Sequence, residues 1–136
     1  FRRVLFRSSL YAASREVIKL YKPCLDKFNL TYTQYVAMLV LWEEEKTTVK
    51  GMGERLHLDS GTLTPLLKKM EKSGLISRYR DINDDRVVVV ELTEEGMELK
   101  EKITCVPCEI KGKLHLSKEQ AETLKKSLDN LLKVLR

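Results

Sequence analysis

The sequence predicts a mainly α-helical chain with a small β-hairpin, and three observations carry that expectation. Apolar residues recur at three- and four-residue spacing over most of the length. One stretch, Ile76–Leu92, is instead rich in β-branched residues around the polar bridge Asp81-Ile-Asn-Asp-Asp85. Capping boxes of the Ser/Thr-x-x-Gln type precede two of the helical runs, at Thr31–Gln34 and Ser117–Gln120.

Leu10, Ala13, Val17, Leu20 and Cys24 mark a first amphipathic helix of about five turns, with Pro23 kinking or ending its regular part. The Thr31 box opens a second, largely buried helix through Tyr35–Trp42, and Glu43–Glu45 read as its solvated acidic end. Thr47 or Thr48 can cap a short third helix through Val49, Met52 and Leu56, followed by a turn at His57–Ser60. A fourth helix places Leu63, Leu66, Leu67 and Met70 on one face and ends near Gly74. Pro65 fits best in a first turn, so regular helix is expected from Thr62 or Thr64 rather than Ser60. Strands follow at Ile76–Arg80 and Arg86–Leu92. Thr93 caps a fifth helix, Pro107 and Gly112 interrupt the pattern, and the Ser117 box starts a last helix carrying Ala121, Leu124, Leu128, Leu131, Leu132 and Leu135.

That order describes a winged helix-turn-helix at residues 33–92 within a single domain spanning 1–136. The terminal segments 1–32 and 93–136 carry wider apolar stripes than one core of this size absorbs, so they are expected to be dimerisation helices of a homodimer.

Composition bounds the function. A chain of 136 residues with 43% hydrophobic and 33% charged residues is an ordinary globular domain. A net charge of +5 permits nucleic acid or an anionic membrane as partner without requiring either. No apolar run approaches the roughly 20 residues of a membrane span, so no membrane role is expected. The opening Phe-Arg-Arg-Val-Leu-Phe-Arg-Ser-Ser lacks both a signal-type apolar core and an initiating Met. Three cysteines, Cys24, Cys105 and Cys108, are too few and too uneven for a secreted disulfide framework, which points to a cytoplasmic protein. Cys105-Val-Pro-Cys108 has no second pair to close a zinc site, and His57 and His115 are read as turn and loop residues, so no metal or other cofactor is expected. No Ser/His/Asp set, phosphate loop or paired-carboxylate arrangement supports an enzyme. Cys24 shares the apolar stripe of the first helix and reads as a small buried hydrophobe.

The segment Asp59-Ser-Gly-Thr-Leu-Thr-Pro-Leu-Leu-Lys-Lys69 carries the functional reading. Small hydroxyl-bearing residues at a helix start can reach base edges and phosphates. Ser60, Thr62 and Thr64 supply the hydroxyls, Gly61 allows close backbone approach, and Lys68 and Lys69 face phosphates. The hairpin brings Arg78, Arg80 and Arg86 to a flanking minor groove or backbone of double-stranded DNA. Residues 46–90 hold nine basic against six acidic side chains, so placement rather than total charge carries the argument. A solvated helix beside a charged hairpin is the bland alternative.

The stretch from Lys50 to Arg78, with Asp84-Asp-Arg86 and Leu92-Thr-Glu-Glu-Gly96, resembles the MarR family of winged-helix repressors. Within it, Asp59–Lys68, Leu10-Tyr-Ala-Ala-Ser-Arg-Glu16 and Leu30-Thr-Tyr-Thr-Gln-Tyr35 are similar to the organic hydroperoxide sensor (OhrR-type) branch. The resemblance runs from about Leu10 to Pro107. It implies a homodimer on a pseudo-palindromic operator, with Asp84 and Arg86 matching a wing signature whose arginine faces DNA. It also implies a reactive cysteine near the start of the first helix, hydrogen-bonded by tyrosines at the positions of Tyr11, Tyr21 and Tyr32, with organic hydroperoxide as the inducer. Four residues before Tyr11, where that cysteine is expected, stands Arg7.

Two accounts are open. Either residues 1–9 are not the native start, which the missing Met and the loss of resemblance before Leu10 favour, or the thiol has been lost. Cys108, or Cys105, is the candidate second thiol, against an incidental surface role. A rival input is a small phenolic or aromatic ligand bound between the dimer helices and the reading head. A rival of another class is a helical protein-interaction module with no DNA role, and without the resemblance the tyrosines read as plain core aromatics.

Overall fold

A computed structural model describes residues 2–135, with side-chain surroundings from residue 5 onward. The described elements are α1 (Arg2–Asp26), α2 (Tyr32–Glu44), β1 (Lys46–Thr48), α3 (Val49–Leu56), α4 (Ser60–Lys72), β2 (Ile76–Arg80), β3 (Val88–Leu92), α5 (Glu94–Lys102), α6 (Cys105–Leu114) and α7 (Lys118–Leu135). Among the described residues, no helix is long and apolar enough to cross a membrane.

The buried residues form two clusters. Ala37, Met38 and Leu41 of α2, Met52 of α3, and Leu63, Leu67 and Met70 of α4 pack with Ile76, Val90 and Leu92 of the sheet. This is the core of the helix-turn-helix and its wing. Cys24, Leu25, Leu30 and Tyr35 pack with Ile103, Val106 and Ile110, joining α1 to α6. Helix α2 serves both clusters because its apolar residues run round most of its circumference, as a central helix requires.

Several boundaries differ from the sequence reading, each for a local reason. Helix α1 continues past Pro23, because Cys24 and Leu25 (3% and 1% exposed) pin its last turn into the second cluster. Helix α4 begins at Ser60, not at Thr62 or Thr64. The Asp59 side chain accepts from the Thr62 amide at 2.8 Å and caps the first turn, which outweighs the loss of one helical bond at Pro65. The hairpin gains a third strand: β1 pairs antiparallel with β3, Thr47 opposite Val90, giving the order β1-β3-β2. Three residues are too few to show a period of two. Strand β3 starts at Val88 rather than Arg86, so Arg86 and Val87 belong to the connecting loop.

The stretch around Pro107 is helical rather than irregular. Pro107 occupies the third position of α6, where backbone N–H groups have no intrahelical acceptor to lose. Val106 and Ile110, 0% and 3% exposed, hold that helix against α1. Glu43 and Glu44 are not simply solvated. Arg55 of α3 reaches both carboxylates, Glu43 at 3.0 Å, and offsets the unfavourable placement of acids at a helix C-terminus. Both histidines close helices in left-handed conformation, His57 after α3 (φ 58°) and His115 after α6 (φ 49°).

Helix α7 opens with the expected box, in which the Ser117 amide donates to Gln120 and the Gln120 amide to Ser117. No described residue of α7 is buried, and Leu124, Leu128, Val134 and Leu135 lie exposed along it. Leu5, Phe6, Leu10 and Ile18 do the same on α1.

Candidate nucleic-acid interface

The tip of α4 protrudes from the first cluster with its polar residues outward. Asp59 is the N-cap, so Ser60, Gly61 and Thr62 occupy the first three helical positions, and all three are exposed. Thr64 is half-buried, turned toward the wing, while Lys68 and Lys69 are exposed one to two turns further on. A Cβ placed on Gly61 would meet nothing closer than the Asp59 carboxylate at 3.5 Å. The fold does not need glycine there.

Asp59 is held ionised below the usual carboxylate range, first by the Thr62 backbone N–H and then by its hydroxyl. A lowered folded-state value means that the cap stabilises α4 above about pH 4 and is lost as pH falls through the lowered value. We expect thermal stability to drop on acidification through this range. Asp59→Asn, which keeps the acceptor but does not titrate, should flatten that part of the profile. An unchanged profile would show that the cap does not stabilise the fold.

The wing presents its basic residues unequally. Arg86 is the most exposed, its side chain 91% accessible, and it pairs with Asp84 through two bonds, Nε at 3.1 Å and Nη2 at 3.3 Å. The Arg86 amide also donates to the same carboxylate, so Asp84 fixes both the turn and the guanidinium. That pairing holds the Asp84 carboxyl below its usual range. Arg80 is exposed and donates to the Asp85 carbonyl at 2.6 Å, bracing the loop. Arg78 is placed differently. Only 20% accessible, it forms two side-chain bonds to Glu71 of α4, and its amide forms a third. Its observed contact ties the wing to the reading helix.

Between α3, the tip of α4 and the wing runs an open groove of about 700 Å³, lined by Lys50, Ser60, Leu63, Thr64, Arg78 and Arg86 among others. Sequence reasoning passed over two features here. Lys50 joins the basic rim, and Ile82 stands 96% exposed at the hairpin tip. The lone apolar residue in an otherwise polar turn was the available signal.

The tyrosine positions divide. Tyr21 and Tyr32 meet edge to face at 5.1 Å between ring centres, and Tyr35 lies 5.7 Å from Tyr21. Tyr35, in the buried run of α2, follows Tyr32 by three residues on the same helix face and so joins the pair. Burial raises all three phenols above their ordinary value, so they stay protonated and can donate hydrogen bonds. Tyr35 continues to Trp42, whose Nε1 donates to the Gly96 carbonyl at 2.8 Å. Tyr11 stands apart, 65% exposed, with the Arg15 guanidinium 5.1 Å over its ring. Ten residues of helix separate it from Tyr21, roughly 15 Å along the axis. Position 7, occupied by exposed Arg7, is about 21 Å from Tyr21 on the same measure. One subunit therefore does not bring position 7 to the Tyr21–Tyr32 pair.

The thiols divide as well. Cys24 is buried and donates to the Glu109 carboxylate; that bond, with burial second, raises the thiol and makes it a poor nucleophile. Cys105 and Cys108 are free and exposed on α6.

Comparison with known proteins agrees with this arrangement. Residues 19–103 match the family described as "Transcriptional regulator SarA/Rot". Over 126 residues, 93% of this chain and 86% of the relative, the sequence is 56% identical to the organic hydroperoxide resistance transcriptional regulator of Bacillus subtilis. The fold is similar to AbfR of Staphylococcus epidermidis. Reduced AbfR bound to DNA superposes with a TM-score of 0.84 at 33% identity, covering 98% of this chain and 93% of that one. Overoxidised AbfR bound to DNA gives 0.84 at 31%, covering 98% and 94%.

Proposed function

This chain belongs to the SarA/Rot type of the MarR family of winged-helix transcriptional regulators, and we propose that it is a homodimeric repressor that binds double-stranded DNA and releases it when organic hydroperoxide oxidises a cysteine. The observation that carries the reading is the exposed, Asp59-capped tip of α4 beside a wing that offers Arg86 outward. Ser60, Gly61, Thr62 and Thr64 enter a major groove, Lys68 and Lys69 contact phosphates, and Arg80 and Arg86 track the neighbouring minor groove or backbone. Arg78 acts from behind, fixing the angle between wing and helix through Glu71.

Two-fold symmetry is supported by surface area. A compact monomer of 15.8 kDa exposes about 7,300 Å² by the size scaling of folded chains, whereas this subunit exposes 10195 Å². The apolar residues left open on α1 and α7 account for the direction of the excess, and segments 1–32 and 93–136 are the dimerisation helices of this reading. A second copy also removes the distance problem at the tyrosines. Position 7 of one subunit can approach Tyr21 and Tyr32 only of the other. Protonated phenols there would stabilise a thiolate, the form that attacks peroxide. The Bacillus subtilis relative's name supports organic hydroperoxide as the inducer. A DNA-bound protein with free thiols fits the reducing cytoplasm.

The test is binding to genomic operator-region duplex. Affinity should fall steeply and linearly on a log–log plot against salt, as counterion release requires. Cumene hydroperoxide should lower it and reductant restore it, while salicylate-like ligands leave it unchanged. Arg7→Cys should sharpen the response to peroxide. Salt-independent or undetectable duplex binding would end the DNA reading, and release by the phenolic ligand alone would end the peroxide reading.

A further inference from the structure

We propose that Cys105 and Cys108 form a vicinal dithiol that organic hydroperoxide closes to a disulfide within the first turn of α6. The two residues sit at the first and fourth positions of that helix and both are exposed, unlike Cys24. Residues three apart on an α-helix have Cα atoms about 5 Å apart, inside the window of roughly 4.4–6.8 Å that a disulfide bridges. Their Cβ atoms, about 5–6 Å apart, must close to roughly 3.5–4.5 Å, so the turn tightens as the bridge forms. The backbone of this turn can tighten at small cost. Thr104 makes no side-chain cap bond, and the Val106 amide, which donates to the Ile103 carbonyl at 3.1 Å, is the backbone contact that adjusts. Pro107, between the two thiols, narrows the conformations of the reduced helical turn and so favours closure.

The chemistry balances with the inducer as oxidant. One thiolate attacks the distal peroxide oxygen, the O–O bond breaks, and alcohol leaves with a sulfenic acid on sulfur. The second thiol displaces hydroxide from that sulfur, so two thiols and one hydroperoxide give one disulfide, one alcohol and one water. The neighbouring Val106 is fully buried in the cluster that holds Tyr35, with Tyr21 and Tyr32 packed against it. Tightening the turn around Val106 therefore acts on the wall behind the tyrosines.

This site deepens the peroxide reading but is tested separately from it. The purified dimer is treated with stoichiometric cumene hydroperoxide, then alkylated under denaturing conditions and mapped by mass. The expected result is loss of two hydrogens, one intact peptide bridge linking Cys105 to Cys108, and Cys24 still alkylated. Cys105→Ser and Cys108→Ser, both at exposed positions, should each retain an oxygen as sulfenic acid instead of forming the bridge. Both thiols recovered reduced, or a disulfide linking two subunits or involving Cys24, would overturn the proposal. A bridge that forms while duplex binding stays unchanged would support the dithiol and count against the wider reading that peroxide releases DNA.

Discussion

Replacing Arg86 with alanine should lower the affinity of the dimer for its operator about thirtyfold or more while leaving the thermal melt unchanged. Each wing loses one guanidinium, and symmetry doubles the loss, which is why a single exposed side chain has so large an effect. The fold should tolerate the change because Arg86 is nearly fully exposed and, among the described residues, its side chain pairs with Asp84 alone. Asp84→Ala should weaken binding less, since it frees the guanidinium without removing it, although the turn loses the carboxylate that accepts the Arg86 amide. The measurement is a duplex titration at two salt concentrations, with a melt of each variant. Affinity equal to the parent's would place the wing off the DNA, and the reading would then rest on α4 alone. Arg78→Ala makes the contrast. Its expected effect passes through the Glu71 tether, so it should disturb the wing–helix angle and stability as well as binding.

The fold was legible in the sequence wherever a long periodic pattern or a local cap specified it. Helices α2 and α7 follow from apolar spacing and from the Thr31 and Ser117 boxes, each within a few residues of what it caps. Apolar spacing showed the body of α4 but not its start, because Pro65 hid the Asp59 cap. Three-residue β1 was not legible, because its strand character comes from pairing with β3, far along the chain. Helix α6 was hidden for the opposite reason. Pro107 and Gly112 argue locally against helix, and only the burial of Val106 and Ile110 against α1 outweighs them. At the candidate site, residue types were readable but orientations were not. Arg78 and Arg86 look equivalent in sequence, yet Glu71 takes one and the other is left outside. The same holds for the tyrosines: Tyr21 and Tyr32 touch, while Tyr11 stands exposed roughly 15 Å away along α1.

Gly96→Ala should be the most destabilising of these substitutions, by about 2 to 3 kcal/mol, with a Tm lower by roughly 10 °C. Alanine is ordinarily the better helix former, by about 1 kcal/mol, so the sign depends on packing. Gly96 is buried at the third position of α5, where an added Cβ would collide with the Leu75 carbonyl oxygen and stand 2.9 Å from Leu92 Cδ2. A backbone carbonyl cannot rotate aside as a side chain can. The residue is also a junction. Its amide donates to the Thr93 hydroxyl, which donates onward to the Gly74 carbonyl, while its own carbonyl accepts from Trp42. Displacing it therefore loosens the joint between the wing strands, α5 and the aromatic row that ends at Trp42. Gly61→Ala is the matched control, since its Cβ has open space, and it should leave the melt unchanged while weakening DNA binding by obstructing close approach. If Gly96→Ala melts with the parent, the joint yields more easily than its contacts imply. If Gly61→Ala binds DNA as the parent does, the tip of α4 does not approach DNA as closely as proposed.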